Sequence, residues 1–130
     1  DFFDGQNISF KLSSSSFENL LKDSDFISVH IPASDKYLLD SNEFSQMKDG
    51  VGVLNLSRGG ILNEEELIKY IETGKVSFAG IDTYENEPKP NIKILMNSSI
   101  SLTPHIGAAT NEAQDRIGVE LADKINEILG

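Results

Sequence analysis

Val51-Gly52-Val53-Leu54-Asn55-Leu56, running directly into Ser57-Arg58-Gly59-Gly60, is the stretch on which the reading of this chain turns. A short, nearly continuous apolar run suits a strand covered on both faces, as in a parallel sheet. The turn behind it sets an arginine between a strand end and two glycines. The same pattern recurs on either side. Asp25-Phe26-Ile27-Ser28-Val29-His30-Ile31 reads as a strand stopped by Pro32, which cannot donate to a ladder. Ser77 to Asp82 reads as a third strand, and Ile100-Ser101-Leu102-Thr103 as a fourth, closed by Pro104-His105. Phe2-Phe3 looks like the end of another strand, and Ile8 to Leu12 like a short one.

Helical stretches lie between these runs. Phe17 to Lys22 carries Phe17, Leu20 and Leu21 on one side, and Asn42 to Met47 is a short turn of helix before Asp49-Gly50. Asn63 suits an N-cap, with Glu66 three residues on to complete a capping-box-like pair. Glu64, Glu65 and Glu66 stand where the helix dipole favours negative charge. Leu67, Ile68 and Ile71 give that helix a buried stripe, and Gly74 ends it. The last helix runs from about Asn111 to Leu129 behind Thr110, with Ile117, Leu121, Ile125 and Ile128 in line. Strands and helices alternating in this way predict an α/β doubly wound parallel sheet.

Composition narrows the function. At 130 residues the chain fits one domain with a real core, and no linker divides it. The net charge of −10 argues against nucleic acid or an anionic membrane as partner. No apolar run approaches the ~20 residues of a membrane helix. The chain has no cysteine, which excludes thiol chemistry, and its two histidines lie far apart in sequence, so no metal site is expected.

Ligands of an open parallel sheet bind beyond the carboxyl ends of its strands. The residues just past each strand are therefore informative: His30-Ile31-Pro32; Ser57-Arg58-Gly59-Gly60; Asp82 with Glu85 and Glu87 beyond it; Pro104-His105-Ile106-Gly107. An arginine, a carboxylate pair and a histidine converge on one edge. Arg58, flanked by glycines that allow close approach, suits a planar carboxylate held bidentately, rather than a surface role. His105 follows Thr103-Pro104, which fixes the chain's exit. A free imidazole titrates near pH 6.5, so His105 is a general acid/base candidate, whereas His30, inside a strand pattern, reads as structural. Glu85 and Glu87 flank Asn86, and only one of them can face the site; residue chemistry does not choose between them. Asp4, at the end of the first strand fragment, suits a ribose hydroxyl pair and so favours NAD over NADP.

Three motifs in order resemble the D-isomer-specific 2-hydroxyacid dehydrogenases, over essentially the whole chain. They are Met47 to Gly60, Gly80-Ile81-Asp82-Thr83-Tyr84-Glu85-Asn86-Glu87-Pro88, and Leu102-Thr103-Pro104-His105-Ile106-Gly107-Ala108-Ala109-Thr110. Through Thr103 to Thr110 and the following Glu112 to Gly118, the chain is similar in particular to the D-3-phosphoglycerate dehydrogenases of serine biosynthesis. The resemblance implies hydride transfer between NAD and a D-2-hydroxy acid. It implies that Arg58 holds the substrate carboxylate, that His105 moves the hydroxyl proton, and that Glu87, not Glu85, pairs with His105 and favours its imidazolium form. It further implies that Asp82 contacts the nicotinamide carboxamide, that Asp4 binds ribose, that Ile31 and Pro32 border the adenine end, and that Leu56, Ser57, Gly107 and Ala108 line the nicotinamide half. A small 2-hydroxy or 2-oxo acid would be the partner, the full-length protein a cytoplasmic homo-oligomer. Other substrates of the family, and the NAD-sensing co-repressors that resemble it, are the alternatives.

Two departures are mild: Leu56-Ser57 before the arginine, and Thr83-Tyr84 where Val-Phe is commoner. A larger one is the lack of the family's G-x-G-x-x-G loop, which the resemblance sets upstream of Asp4 together with the first strand. The expectation is a partial NAD-binding domain over residues 1–130, with its substrate domain elsewhere. Its sheet would have a slot at the central strand position, and NAD binding would be far weaker than in an intact domain, because the pyrophosphate loses its helix N-terminus.

Overall fold

The computed structural model describes residues 2–3, 6–7, 9 and 11–130. Four strands form one parallel sheet: β3 (Phe26–Val29), β4 (Val51–Asn55), β5 (Val76–Ile81) and β6 (Ile100–Leu102), side by side in chain order. The four expected strands of this sheet are present; three are shorter by one to three residues, and the one expected over Ser77 to Asp82 is displaced by one residue to Val76–Ile81. Helix α1 (Phe17–Asp23) precedes β3; α2 (Ser41–Gln46), α3 (Glu64–Glu72) and α4 (Ile92–Leu95) make the crossovers, and α5 (Asn111–Leu129) follows β6. The α/β class and the parallel sheet are those expected.

Leu21 of α1, Phe44 of α2, Leu67 and Ile68 of α3 and Ile94 of α4 share a single core with Ile27, Val29, Val53, Ala79, Ile81 and Ile100 of the strands. Period-2 alternation explains this, since every second strand residue faces the same side. The other face differs from expectation. Phe26 is 68% exposed, and its ring meets Phe78 at 5.8 Å between centroids across Gly52. The described helices cover one face of the sheet, not both. Helix α5 lies outside the core; Ala113 is its only buried residue, and Ile117, Leu121, Ile125 and Ile128 are exposed.

Two further differences concern chain ends and caps. Phe2–Phe3 (β1) does not join the parallel sheet but pairs antiparallel with Gln6–Asn7 (β2). Phe2 pairs with Asn7 and Phe3 with Gln6, so these residues pair locally and not with a strand of the parallel sheet. Within the expected strand at Ile8 to Leu12, residues 9, 11 and 12 carry no strand, and residues 8 and 10 lie outside the described ones. Asn63 does cap α3, accepting from the Glu65 and Glu66 N–H groups at 3.1 Å each. Glu66 does not close the box, because its carboxylate pairs with Lys69. The complete capping box is at α2, where Asp40 accepts from the Ser41 N–H and Glu43 accepts from the Asp40 N–H.

Candidate active site

The arginine loop is shaped by Asn55, a buried amide at the last residue of β4. Its Nδ2 donates to the Arg58 carbonyl at 3.0 Å, and its Oδ1 accepts from the Ser57 hydroxyl at 2.9 Å and the Ser57 N–H at 3.2 Å. A polar group buried at a strand end must find such partners, and here they close the chain into a tight turn. Ser57 is buried by that turn, and Arg58 is left exposed, its Nη1 donating to the Ser57 carbonyl at 2.7 Å. His30, Ile31, Pro32, Leu56, Ser57 and Arg58 line one open cleft beyond β3 and β4.

The neighbouring strands build the acid/base pair. Glu87 faces His105, whose Nδ1 lies 2.8 Å from Oε2 and 3.0 Å from Oε1. Glu87 Oε1 also accepts from the Tyr84 N–H at 2.9 Å. That backbone donor first, and His105 second, hold the Glu87 carboxyl below the usual carboxylate range, so it is ionised at neutral pH. With Nδ1 turned to a carboxylate, Nε2 is the ring nitrogen free to exchange a proton.

His105 itself stands at φ +55°, the left-handed region that costs a non-glycine residue about 1 kcal/mol or more. Asp82 holds it there. This buried carboxylate accepts from the Thr103 hydroxyl (2.5 Å) and the Ile106 N–H (2.9 Å) on Oδ1, and from the Gly107 N–H (2.9 Å) on Oδ2. Burial pushes the Asp82 carboxyl up, but these hydrogen bonds and the His105 charge outweigh it, and the net direction is down. Tyr84 completes the frame by donating its hydroxyl proton to the Thr103 carbonyl at 2.7 Å.

The structure therefore brings Glu87 and His105 into direct contact and sets Asp82 beneath them. It turns Glu85 the other way, onto the Glu64 N–H at 2.8 Å. The arginine loop reaches this group through Gly59, where an added Cβ would collide with the Tyr84 carbonyl. Gly107 and Ala108 line a second cleft, against Ala113 and Arg116 of α5. Asp4 lies outside the described residues. His30 is corrected: β3 ends at Val29, and His30 is exposed in the cleft wall with Nε2 2.7 Å from the Ser28 hydroxyl. Asn55, Glu64, Tyr84 and Thr103 serve the site without having been singled out for it. Only Asn55 carried a signal, as an amide inside an otherwise apolar strand.

Residues 5–107 match the family model described as the D-isomer specific 2-hydroxyacid dehydrogenase, NAD binding domain. A hydroxypyruvate reductase of Thermotoga maritima is 42% identical over 87% of this chain and 39% of its own length. A D-3-phosphoglycerate dehydrogenase of Archaeoglobus fulgidus is 43% identical over 84% of this chain and 21% of its own. Among solved structures, a glyoxylate reductase from Paecilomyes thermophila superposes with a TM-score of 0.74 at 36% identity, covering 81% of this chain and 33% of that one. A D-lactate dehydrogenase from Aquifex aeolicus, complexed with NAD and lactic acid, gives 0.71 at 29% identity over 88% and 40%. The chain thus spans well under half the length of these relatives.

Proposed function

This chain belongs to the NAD-binding domain family of the D-isomer specific 2-hydroxyacid dehydrogenases, and from that membership we propose that it supplies the cofactor-side half of an active site interconverting D-2-hydroxy acids and 2-oxo acids. The observation that carries this reading is the Glu87–His105 pair at the carboxyl edge of the sheet, with the arginine loop packed against Tyr84 beside it. The full activity belongs to a protein that also carries a substrate domain, which lies outside these 130 residues.

The residues present fit part of NAD. Exposed apolar Ile31 and Leu56 give the cleft beyond β3 and β4 surfaces for flat rings, whereas Asp82 is buried, with both oxygens held by Thr103, Ile106 and Gly107. No G-x-G-x-x-G loop occurs in the sequence, so the pyrophosphate has no cradle here. Bound NADH supplies the hydride. The chain's own groups do the rest. Arg58 binds and orients the substrate carboxylate, which a guanidinium takes bidentately. His105 delivers a proton from Nε2 to the carbonyl oxygen in reduction and takes it back in oxidation. Glu87, ionised, stabilises the imidazolium and fixes the ring through Nδ1. Among the substrates of the family we propose 3-phosphoglycerate, on the likeness of Thr103 to Gly118 to the D-3-phosphoglycerate dehydrogenases.

The test is steady-state kinetics on the full-length protein. His105→Ala should lower turnover on the order of 10³-fold while NADH affinity changes little, because the proton path is lost and the nucleotide contacts remain. Glu87→Gln should lower turnover with NADH affinity little changed, since a neutral amide no longer offsets charge on the ring as the proton is transferred. Collapse of NADH binding in His105→Ala, with turnover per bound cofactor unchanged, would overturn the reading.

A further inference from the structure

Glu64 is a buried carboxylate that the proton relay does not use. It is the first residue of α3, 3% exposed, and its Oε2 is buried without a partner among the described residues. Its Oε1 accepts from the Glu85 N–H at 2.9 Å, while Glu85 Oε1 accepts from the Glu64 N–H at 2.8 Å. The two acids therefore grip each other's backbone reciprocally. Burying a carboxylate beside another acid is costly unless the geometry needs it. Stability of α3 does not require it, because Asn63 already caps that helix.

The two segments that the pair joins give the reason. Glu64 ends the segment that begins at Arg58, and between them Ile61 and Leu62 are fully buried, with the Ile61 carbonyl accepting from the Leu38 and Leu39 N–H groups. Glu64 is therefore joined to the Arg58 turn through a short, packed segment. Glu85 sits one residue after Tyr84, whose N–H binds Glu87, and two before Glu87 itself. The two loops also touch at Gly59 and the Tyr84 carbonyl, so closely that a side chain there is excluded. We propose that Glu64 and Glu85 form a positioning pair that locks the arginine loop onto the glutamate–histidine loop, and so sets the registry of Arg58 with the Glu87–His105 relay. The pair touches no reacting atom; it acts through the residues on either side, and its role rests on the catalytic reading of Arg58, Glu87 and His105.

A substrate whose carboxylate is held by Arg58 and whose carbonyl is met by His105 spans both loops. A displacement of about 1 Å between them costs on the order of 10²-fold in rate. In the full-length protein, Glu85→Ala should lower kcat/KM for the 2-oxo acid about 10- to 100-fold, by raising KM and lowering kcat together. NADH affinity, the melting temperature within a few degrees, and the position of the pH–rate profile should stay as in the parent. Glu85→Gln keeps an acceptor at Oε1 and should restore most of the activity. Adding Glu64→Ala to Glu85→Ala should lower kcat/KM further, because each substitution removes a different one of the two hydrogen bonds between the loops. Parental kinetics in Glu85→Ala, or a Glu85→Gln as impaired as the alanine variant, would overturn the proposal. So would loss of NADH binding and melting temperature in proportion to activity, the mark of a merely structural role. His105→Ala, measured alongside, separates the two readings: if it retains turnover the catalytic assignment fails, and if it alone is inactive only the positioning pair fails.

Discussion

The two faces of the parallel sheet are built from the same strands, yet they behave as different kinds of surface. On one, Ile27, Val53, Ala79 and Ile81 alternate inward and meet Phe44, Leu67 and Ile94 with almost no exposure. On the other, Phe26 and Phe78 lean on each other in the open, and α5 carries an apolar line that nothing in the described residues covers. The open face mixes Phe26, Leu54 and Phe78 with Ser28, Gly52, Gly80 and Ser101, whereas the covered face is almost wholly aliphatic, so the alternation already marks which side is the core. A face is buried only when the chain supplies an element to lie on it, and α1 to α4 all return to the same side.

The comparison is broken most directly from the covered side. Phe44 is fully buried and stacks on Tyr70 at 5.3 Å between ring centroids, so Phe44→Ala should cost about 3–5 kcal/mol of unfolding free energy in denaturant titration. A loss below about 1 kcal/mol would mean that this core is not the one holding the chain together.

A second measurement sharpens the comparison at the rim of the covered face. Burial pushes the Glu64 carboxyl up, its bond from the Glu85 N–H pulls it down, and the Glu85 charge pushes it up again; the net direction is up. A carboxyl raised in the folded state binds more protons there than in the unfolded chain. Its contribution is therefore fully present below the ordinary value of about 4.5 and is lost as pH rises through the folded-state value. Glu87 and Asp82, both shifted down, act in the opposite sense and lose their contribution only towards acid. Glu64→Gln should thus gain stability relative to the parent as pH rises from about 4.5 towards neutral. Melting curves of the two proteins across that range check it; a constant difference would show that Glu64 does not titrate differently in the folded state.

The smallest effect is expected on the open side. Leu121→Ala and Ile125→Ala should each change the stability of this chain by about 0.5 kcal/mol or less, because both side chains are already in water. If either cost as much as Phe44→Ala, α5 would be packed against something the described residues do not show.

The residues alone determined the α/β class, the four strands of the sheet, the caps Asn63 and Thr110, and the edge on which chemistry-bearing residues collect. These come from short-range rules: period-2 and helical periodicity, side-chain capping, and the placement of loops after strands. Whether Glu85 or Glu87 faces the histidine was not legible in residue chemistry, since both are loop acids flanking Asn86; a resemblance chose Glu87, and the turn at Tyr84 is what directs it to His105. The tertiary structure alone decided that His30 is exposed, that the Asp82 oxygens serve the His105 loop, and that Glu64 is buried against Glu85. Each of these depends on contacts between segments some twenty or more residues apart, or on where the ladder of β3 ends. Such contacts leave no periodic trace in a sequence, because a carboxylate that accepts from a distant N–H is spelled like one that faces water.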